Sequence, residues 1–396
     1  MQRPVFTTAI AVAAVAILFG CSGGASQSPN STLPSLGATR PQTVEGSQVM
    51  PDTAVEFAYE ANEGSTTVSA YKIESNGTLT SVKGSPFTAG SAPSGVAIDP
   101  TGKFAHASNA ASANVSAFTI DAASGALKAI QGSPFGAGTS PSGVADTGKF
   151  AYVANVGVSS SSSVSAYTIA SSGALKAVKG SPFAAGSSAQ YIATDPSSKF
   201  VYVPNAGSNN ISAYKIASSG ALTPVKGSPF GAGSEAFGVA VDPSGKFAYV
   251  SNYGSGNVSA YTVNASSGAL TPIKGSPFAA GTGPCSVIVD PNGKFLYVPN
   301  LSSGDVSAYL IKSNGALTPV KGSPFAAGAG ACYGAVDPAS KFAYVANSGA
   351  DTISGYTIGT NGALSPLKGS PFPAGPTPAV IAMCRVTSGK CVPPSL

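Results

Sequence analysis

One tetrapeptide recurs seven times. Gly-Ser-Pro-Phe begins at Gly84, Gly132, Gly180, Gly227, Gly275, Gly322 and Gly369, and every step is 47 or 48 residues. A fixed period of that length marks a repeat architecture, in which each unit buries its apolar faces only against its neighbours. The stretch between two copies repeats as well. Around residue 245 a short apolar run, Gly238-Val239-Ala240-Val241, enters Asp242-Pro243-Ser244-Gly245 and is followed by Phe247-Ala248-Tyr249-Val250, Asn252, Val258-Ser259-Ala260-Tyr261 and Gly268-Ala269-Leu270. Apolar runs of about four to six residues with turn residues at their ends read as strands. Asp-Pro-x-Gly suits a type I turn, because Asp accepts from the turn amides, Pro fixes φ and Gly takes the last position. Ser-Ser-Gly or Ser-Asn-Gly before Ala-Leu suits a hairpin that needs positive φ.

Each unit therefore holds four antiparallel strands, a to d, with d running up to Gly-Ser-Pro-Phe. Four strands in about 47 residues make one propeller blade. Seven copies predict an all-β, seven-bladed β-propeller. The first unit begins at strand b, Val55 to Ala61, and lacks strand a, which Ala379 to Met383 supplies after the seventh motif. Closure then joins one C-terminal strand to three N-terminal strands and leaves no long sheet edge open. Composition agrees, since 48 Gly and 31 Pro disfavour long helices, and 43% hydrophobic residues with only 9% charge disfavour disorder. The expected segments are a signal peptide at 1–20, a tether at 21–53, the propeller at 54–385 and a tail at 386–396. Two blades depart from the pattern: Ala145-Asp146-Thr147-Gly148 lacks an Ile and a Pro, and the serines from Ser159 to Ser163 lengthen a b–c loop.

Arg3 precedes an apolar run from Ala9 to Phe19. That run is shorter than the roughly 20 residues that span a bilayer and suits an export signal. Leu18-Phe19-Gly20-Cys21 resembles the lipobox of bacterial lipoproteins, although Phe19 departs from the small or β-branched residue usual there. The resemblance implies lipidation of Cys21; the other reading is a plain secretory signal with a spare cysteine. Ser22 to Asp52 is rich in Ser, Gly, Pro and Thr and reads as a flexible tether. An outer-membrane or cell-surface lipoprotein facing periplasm or exterior is expected. The net charge of +5 is spread over lysines at repeat positions, six in Lys-Phe pairs and six before Gly-Ser-Pro-Phe, so no nucleic-acid patch forms.

The Phe-Ala-Tyr-Val-Ala-Asn strand at Phe150–Asn155 and Phe342–Asn347, the Asp-Pro-x-Gly-Lys turn and the seven-unit ring resemble the lactonase-type propellers. That group includes 6-phosphogluconolactonase-like proteins and YVTN repeat proteins, and the resemblance covers about Val55 to Met383. It implies that His, Arg and acidic residues from loops and inner strands meet at the channel mouth to bind and open a lactone. The matching d–a segments, around Ser94, Ser142, Gln190, Phe237, Cys285 and Cys332, hold no His or Arg. No catalytic residue is carried over by the resemblance.

Glu235 is the one carboxylate in a d–a loop and is the candidate general base, with a solvated loop acid as the bland reading. Glu63, Asp305 and Asp351 lie in b–c loops at the same end. Gln190, Tyr191, Phe237, Tyr253, Asp305, Tyr333 and Asp351 form the expected binding surface. His106, the single histidine, holds the place of a tyrosine in the other six units, and alternation directs it toward packing between blades. Arg385 falls at the far end of its blade, as a surface contact. The asparagines at the ends of the b strands, Asn62 through Asn347, are assigned a structural task by their repetition. Cys384 with Cys391 is the favoured disulfide, and Cys285 with Cys332 is conditional on Cα atoms within about 7 Å. No metal or cofactor is expected.

The leading reading is an exported, lipid-anchored, monomeric binding module for an envelope protein or glycan. The alternatives are a lactonase-type hydrolase opening a sugar lactone and a purely structural envelope protein.

Overall fold

Seven sheets stand in a ring in the computed structural model, which describes residues 55–157 and 162–394. The expected signal peptide, Cys21 and the tether lie outside the described residues, as does the insertion at 158–161. Blade 1 adds Pro378–Thr387 as its inner strand to Glu56–Asn62, Thr67–Ile73 and Leu79–Ser81. Blade 2 runs Pro93–Ile98, Phe104–Asn109, Asn114–Ile120 and Leu127–Ala129, and five further blades repeat that order. The chain end thus closes the sheet that the chain start opened.

Strand d differs from the expectation that it ends before Gly-Ser-Pro-Phe. It is split around the motif. In blade 1, Leu79–Ser81 pairs with the second half of Thr67–Ile73, and Phe87–Thr88 returns to pair with its first half. The motif bridges the gap. Its glycine takes positive φ, 86° to 93° in all seven copies, and the Ser–Pro bond is cis. The serine hydroxyl accepts the strand-c amide that has lost its ladder partner, as Ala70 N–H to Ser85 Oγ at 2.8 Å and Ala166 N–H to Ser181 Oγ at 2.9 Å. Proline, which has no amide to donate, sits on the outer edge, where no ladder bond is lost.

Blades join through their faces. Phe57, Tyr59 and Ala61 of blade 1 pack on Val96, Ile98, Phe118 and Leu127 of blade 2. The strand-b tyrosine also donates to a carbonyl in the c–d turn of the next blade: Tyr59 to Gly125 at 3.0 Å, Tyr202 to Gly268 at 3.0 Å, and Tyr344 to Gly77 at 2.6 Å across the seam. Each such bond contributes about 1 kcal/mol net.

His106 takes that tyrosine's place in blade 2 and is fully buried between blades. Its Nε2 lies 3.5 Å from the Gly173 carbonyl, and its Nδ1 lies 2.8 Å from Asp146 Oδ2 of blade 3. Elsewhere the turn aspartate accepts amides of its own loop, as Asp195 does from Lys199 and Phe200. In the shortened turn of blade 3 Thr147 takes that duty, accepting the Phe150 amide at 3.0 Å, and Asp146 stands one place earlier, in the register of Ile98, where it pairs with the histidine.

The ring runs past residue 385. Pro378–Thr387 extends into a hairpin with Lys390–Val392, pinned by Cys384–Cys391, whose Cα atoms are 5.1 Å apart. Arg385 stands at this end, 4.0 Å from Glu56.

Candidate active site at the channel mouth

Each inner strand enters its sheet opposite a strand-b asparagine. Pro93 pairs with Asn109, Pro141 with Asn155, Ala236 with Asn252 and Pro378 with Asn62. The d–a and b–c loops meet at this end and form the mouth. The seven asparagines are all fully buried, and each Nδ2 donates to a strand-c serine, as Asn62 to Ser69 at 2.9 Å and Asn300 to Ser307 at 3.0 Å. They tie loops to sheets and do not face the channel.

Below that level the repeats diverge in one ring. Gly95, Gly143, Tyr191, Gly238, Ser286, Tyr333 and Val380 hold equivalent places on the seven inner strands. Two tyrosines project where most blades carry almost no side chain. A Cβ on Gly143 would come within 3.1 Å of the Tyr191 ring, so the glycine is what admits the ring. Tyr191 and Tyr333 meet at 5.2 Å between centroids with their planes tilted by 50°, Phe237 lies 5.6 Å from Tyr191, and Tyr253 lies 6.0 Å from Phe237. These half-buried aromatic rings make an amphipathic floor, apolar on the faces and polar at the hydroxyls.

Four of the seven expected surface residues, Tyr191, Phe237, Tyr253 and Tyr333, meet in this cluster. Gln190 lies beside Tyr191, half-buried, with its backbone N–H donating to the Pro204 carbonyl. The other two are engaged in loop structure. Asp305 accepts from Asn300 Nδ2 at 2.7 Å and Ser303 Oγ at 3.0 Å, and Asp351 accepts the Thr377 amide at 2.7 Å. Glu235 stands exposed at the rim with φ 53°, at a position that is left-handed in every blade, from Ala92 and Ser140 to Thr377. Its carboxylate lies against Gly254 of the adjacent loop.

Glu63 is the acid whose charge reaches the phenols. It follows the asparagine of blade 1, where the other blades carry Ala110, Val156, Ala206, Tyr253, Leu301 and Ser348. Comparing that column alone singles it out. Its side chain is open to solvent, yet the surrounding loops desolvate it enough to hold the carboxyl above its ordinary range. Burial, then Tyr333, then the Glu63 charge push the Tyr191 phenol up; burial and Glu63 do the same to Tyr333. Both phenols therefore stay protonated and serve as donors at neutral pH. Protonated, each phenol carries one O–H that can donate to a ligand at the mouth.

Cys285 and Cys332 join blades 6 and 7 beside this floor, with Cα atoms 4.9 Å apart. The distance meets the condition set by the sequence.

A family model described as lactonase, 7-bladed beta-propeller, matches residues 24–141 and 150–374. The chain belongs to this family. Among solved structures, the lactonase-family propeller is similar to a candidate 6-phosphogluconolactonase of Bacteroides fragilis, at 22% identity and TM-score 0.72 over 84% of this chain and 99% of that one. It is similar also to the periplasmic gluconolactonase of Pseudomonas aeruginosa, at 19% identity and TM-score 0.71 over 86% and 100%. A protein of Lactobacillus plantarum aligns at 18% identity and TM-score 0.68 over 84% and 99%. At these identities the likeness is one of fold. Comparison with curated proteins gives no match.

Proposed function

We propose that this lactonase-family propeller hydrolyses a lactone at the channel mouth. The observation that carries the reading is that one carboxylate held above its ordinary range, Glu63, lies within electrostatic reach of two protonated phenols, Tyr191 and Tyr333, over an aromatic floor. The solved neighbours named for gluconolactone chemistry support it. Water attacks the ring carbonyl and gives its proton to Glu63; the carbonyl oxygen takes the developing charge and accepts from Tyr333. Collapse opens the ring, and the alkoxide leaving group takes the proton back. A carboxyl raised toward the working pH is a better base, and a fixed donor at the oxyanion lowers the barrier most where water is excluded.

The test is turnover of a panel of five- and six-membered sugar lactones, followed by pH-stat. Glu63→Gln should lower kcat/KM about 100-fold or more, and Tyr333→Phe about 10- to 100-fold. Glu235→Gln, run alongside, measures the rim acid's own share; if it alone abolishes turnover, the base is Glu235. No hydrolysis of any lactone overturns the reading.

One observation favours a second reading: among the described residues the mouth presents no Arg or His to hold a phosphorylated or anionic substrate. In that reading the same floor binds a neutral sugar of an envelope glycan without turning it over. Saturable binding of such a glycan in calorimetry, lost in Tyr191→Ala and unaccompanied by hydrolysis, selects it. Export and anchoring through Cys21 complete the proposal under either reading.

A further inference from the structure

Beneath the tyrosine floor the inner strands enclose a second space that the mouth chemistry does not use. One register step below the tyrosine ring stand Val96, Val144, Ile192, Val239, Val287 and Ile381, with Gly334 in the seventh place; one step further stand Ala97, Ala145, Ala193, Ala240, Ala335 and Ala382, with Ile288 as the exception. Six small side chains at the waist leave a cavity of about 280 Å³ on the axis. Its side-chain lining is apolar apart from Thr194 and Asp146, Asp146 is already bound to His106, and the unpaired edges of the inner strands add backbone polar groups to the wall.

Size and surface decide what such a space holds. Ligand pockets are mostly apolar walls with a few polar groups, and an apolar cavity of about 150 Å³ suffices to take up a benzene-sized molecule. The cavity here is nearly twice that and approaches the lower end of ordinary ligand pockets, about 300 Å³. Pro243, Pro291, Pro393 and Pro394 border it at the end away from the loops. Tyr191 and Tyr333 border the smaller space of about 100 Å³ at the mouth end. The two spaces share Ile192, Val239, Val287, Ile288 and Gly334 in their walls, and the larger one reaches the proline end.

We infer that the central channel binds one small uncharged apolar molecule, an aliphatic chain or a single apolar ring. The site is independent of hydrolysis at Glu63. Ile288 shows that a large aliphatic side chain is tolerated at the waist, so filling variants can be drawn from the protein's own repeats.

Toluene, titrated into the full chain in calorimetry, should bind saturably at one per chain. Ala97→Ile with Ala193→Ile should weaken binding tenfold or more, and Ala240→Ile is a milder second variant should the pair fail to fold. Glu63→Gln and Tyr333→Phe should bind as the parent does. Absence of saturable binding overturns the inference. So does binding that persists unchanged in folded filling variants, or binding lost on changing Tyr333 alone.

Discussion

Glu60 is fully buried at a place where five other blades carry valine, Val153, Val203, Val250, Val298 and Val345. It accepts from the Tyr71 hydroxyl at 3.0 Å, while the tyrosines equivalent to Tyr71 donate to backbone carbonyls, as Tyr261 does to Gly231 at 2.6 Å. Its Oε1 has no partner. Burial raises its pKa from an ordinary 4.5 to about 7, against the lowering effect of Tyr71 and the Gly375 amide. The folded state thus keeps a proton that the unfolded chain releases near 4.5, so stability is greatest below that pH and declines as pH rises toward 7. Glu60→Val should therefore stabilise the protein at pH 8 by up to about 3 kcal/mol and far less at pH 4.5, in urea denaturation at the two pH values. A gain that is the same at both would show that the carboxyl is not the cause.

The pair of His106 and Asp146 makes a second residue-scale case. Burial pulls the histidine down, and the charge and hydrogen bond of Asp146 with the Gly173 carbonyl outweigh it, so the net direction is up. The pair's contribution is full below the ordinary 6.5 and fades as pH rises through the raised value. His106→Tyr restores the common residue but strands a buried carboxylate, at about 3–5 kcal/mol. Adding Asp146→Ile, which restores Ile as in Ile98, should recover most of that loss in a double-mutant cycle.

At the scale of the element, Gly-Ser-Pro-Phe works because one hydroxyl substitutes for a missing ladder partner. Ser181→Ala leaves the Ala166 amide without its acceptor and should cost about 1–2 kcal/mol, read from the denaturation midpoint. Ser370→Ala, in the blade beside the seam, should cost the same, since its bond to the Gly355 amide is 2.9 Å like the others. A difference between them would show that the seam blades are not equivalent to the rest.

For the whole molecule, the ring is closed by strand pairing in blade 1 and braced by two disulfides of unequal span. Cys285–Cys332 encloses 47 residues and Cys384–Cys391 only 7. Chain-entropy arguments give about 4 kcal/mol for the first and about 2.5 for the second. Replacing Cys285 and Cys332 by serine should therefore lower Tm more than replacing the other pair. Truncation before Pro378 should do worse than either, because it bares the whole Glu56–Asn62 edge and invites aggregation, visible in light scattering.

Seven spaced copies of one motif, the phase of the two chain ends and the repeated Asp-Pro turns were enough to count the blades and to name the closing strand. Those are local, periodic signals, and a ring of equal units multiplies each of them seven times. The split of strand d escaped that reading because a serine hydroxyl standing in for a ladder carbonyl leaves no mark in hydrophobic periodicity. The site was legible only in part. Tyr191, Phe237, Tyr253 and Tyr333 could be placed at the mouth, but their convergence depends on side chains from blades 4, 5 and 7 meeting near a common axis. Such meetings have no sequence period. For the same reason Glu63 stood among several loop acids until the fold set its charge against two phenols from other blades, and the alanine waist became a cavity only when all seven strands were brought around one axis.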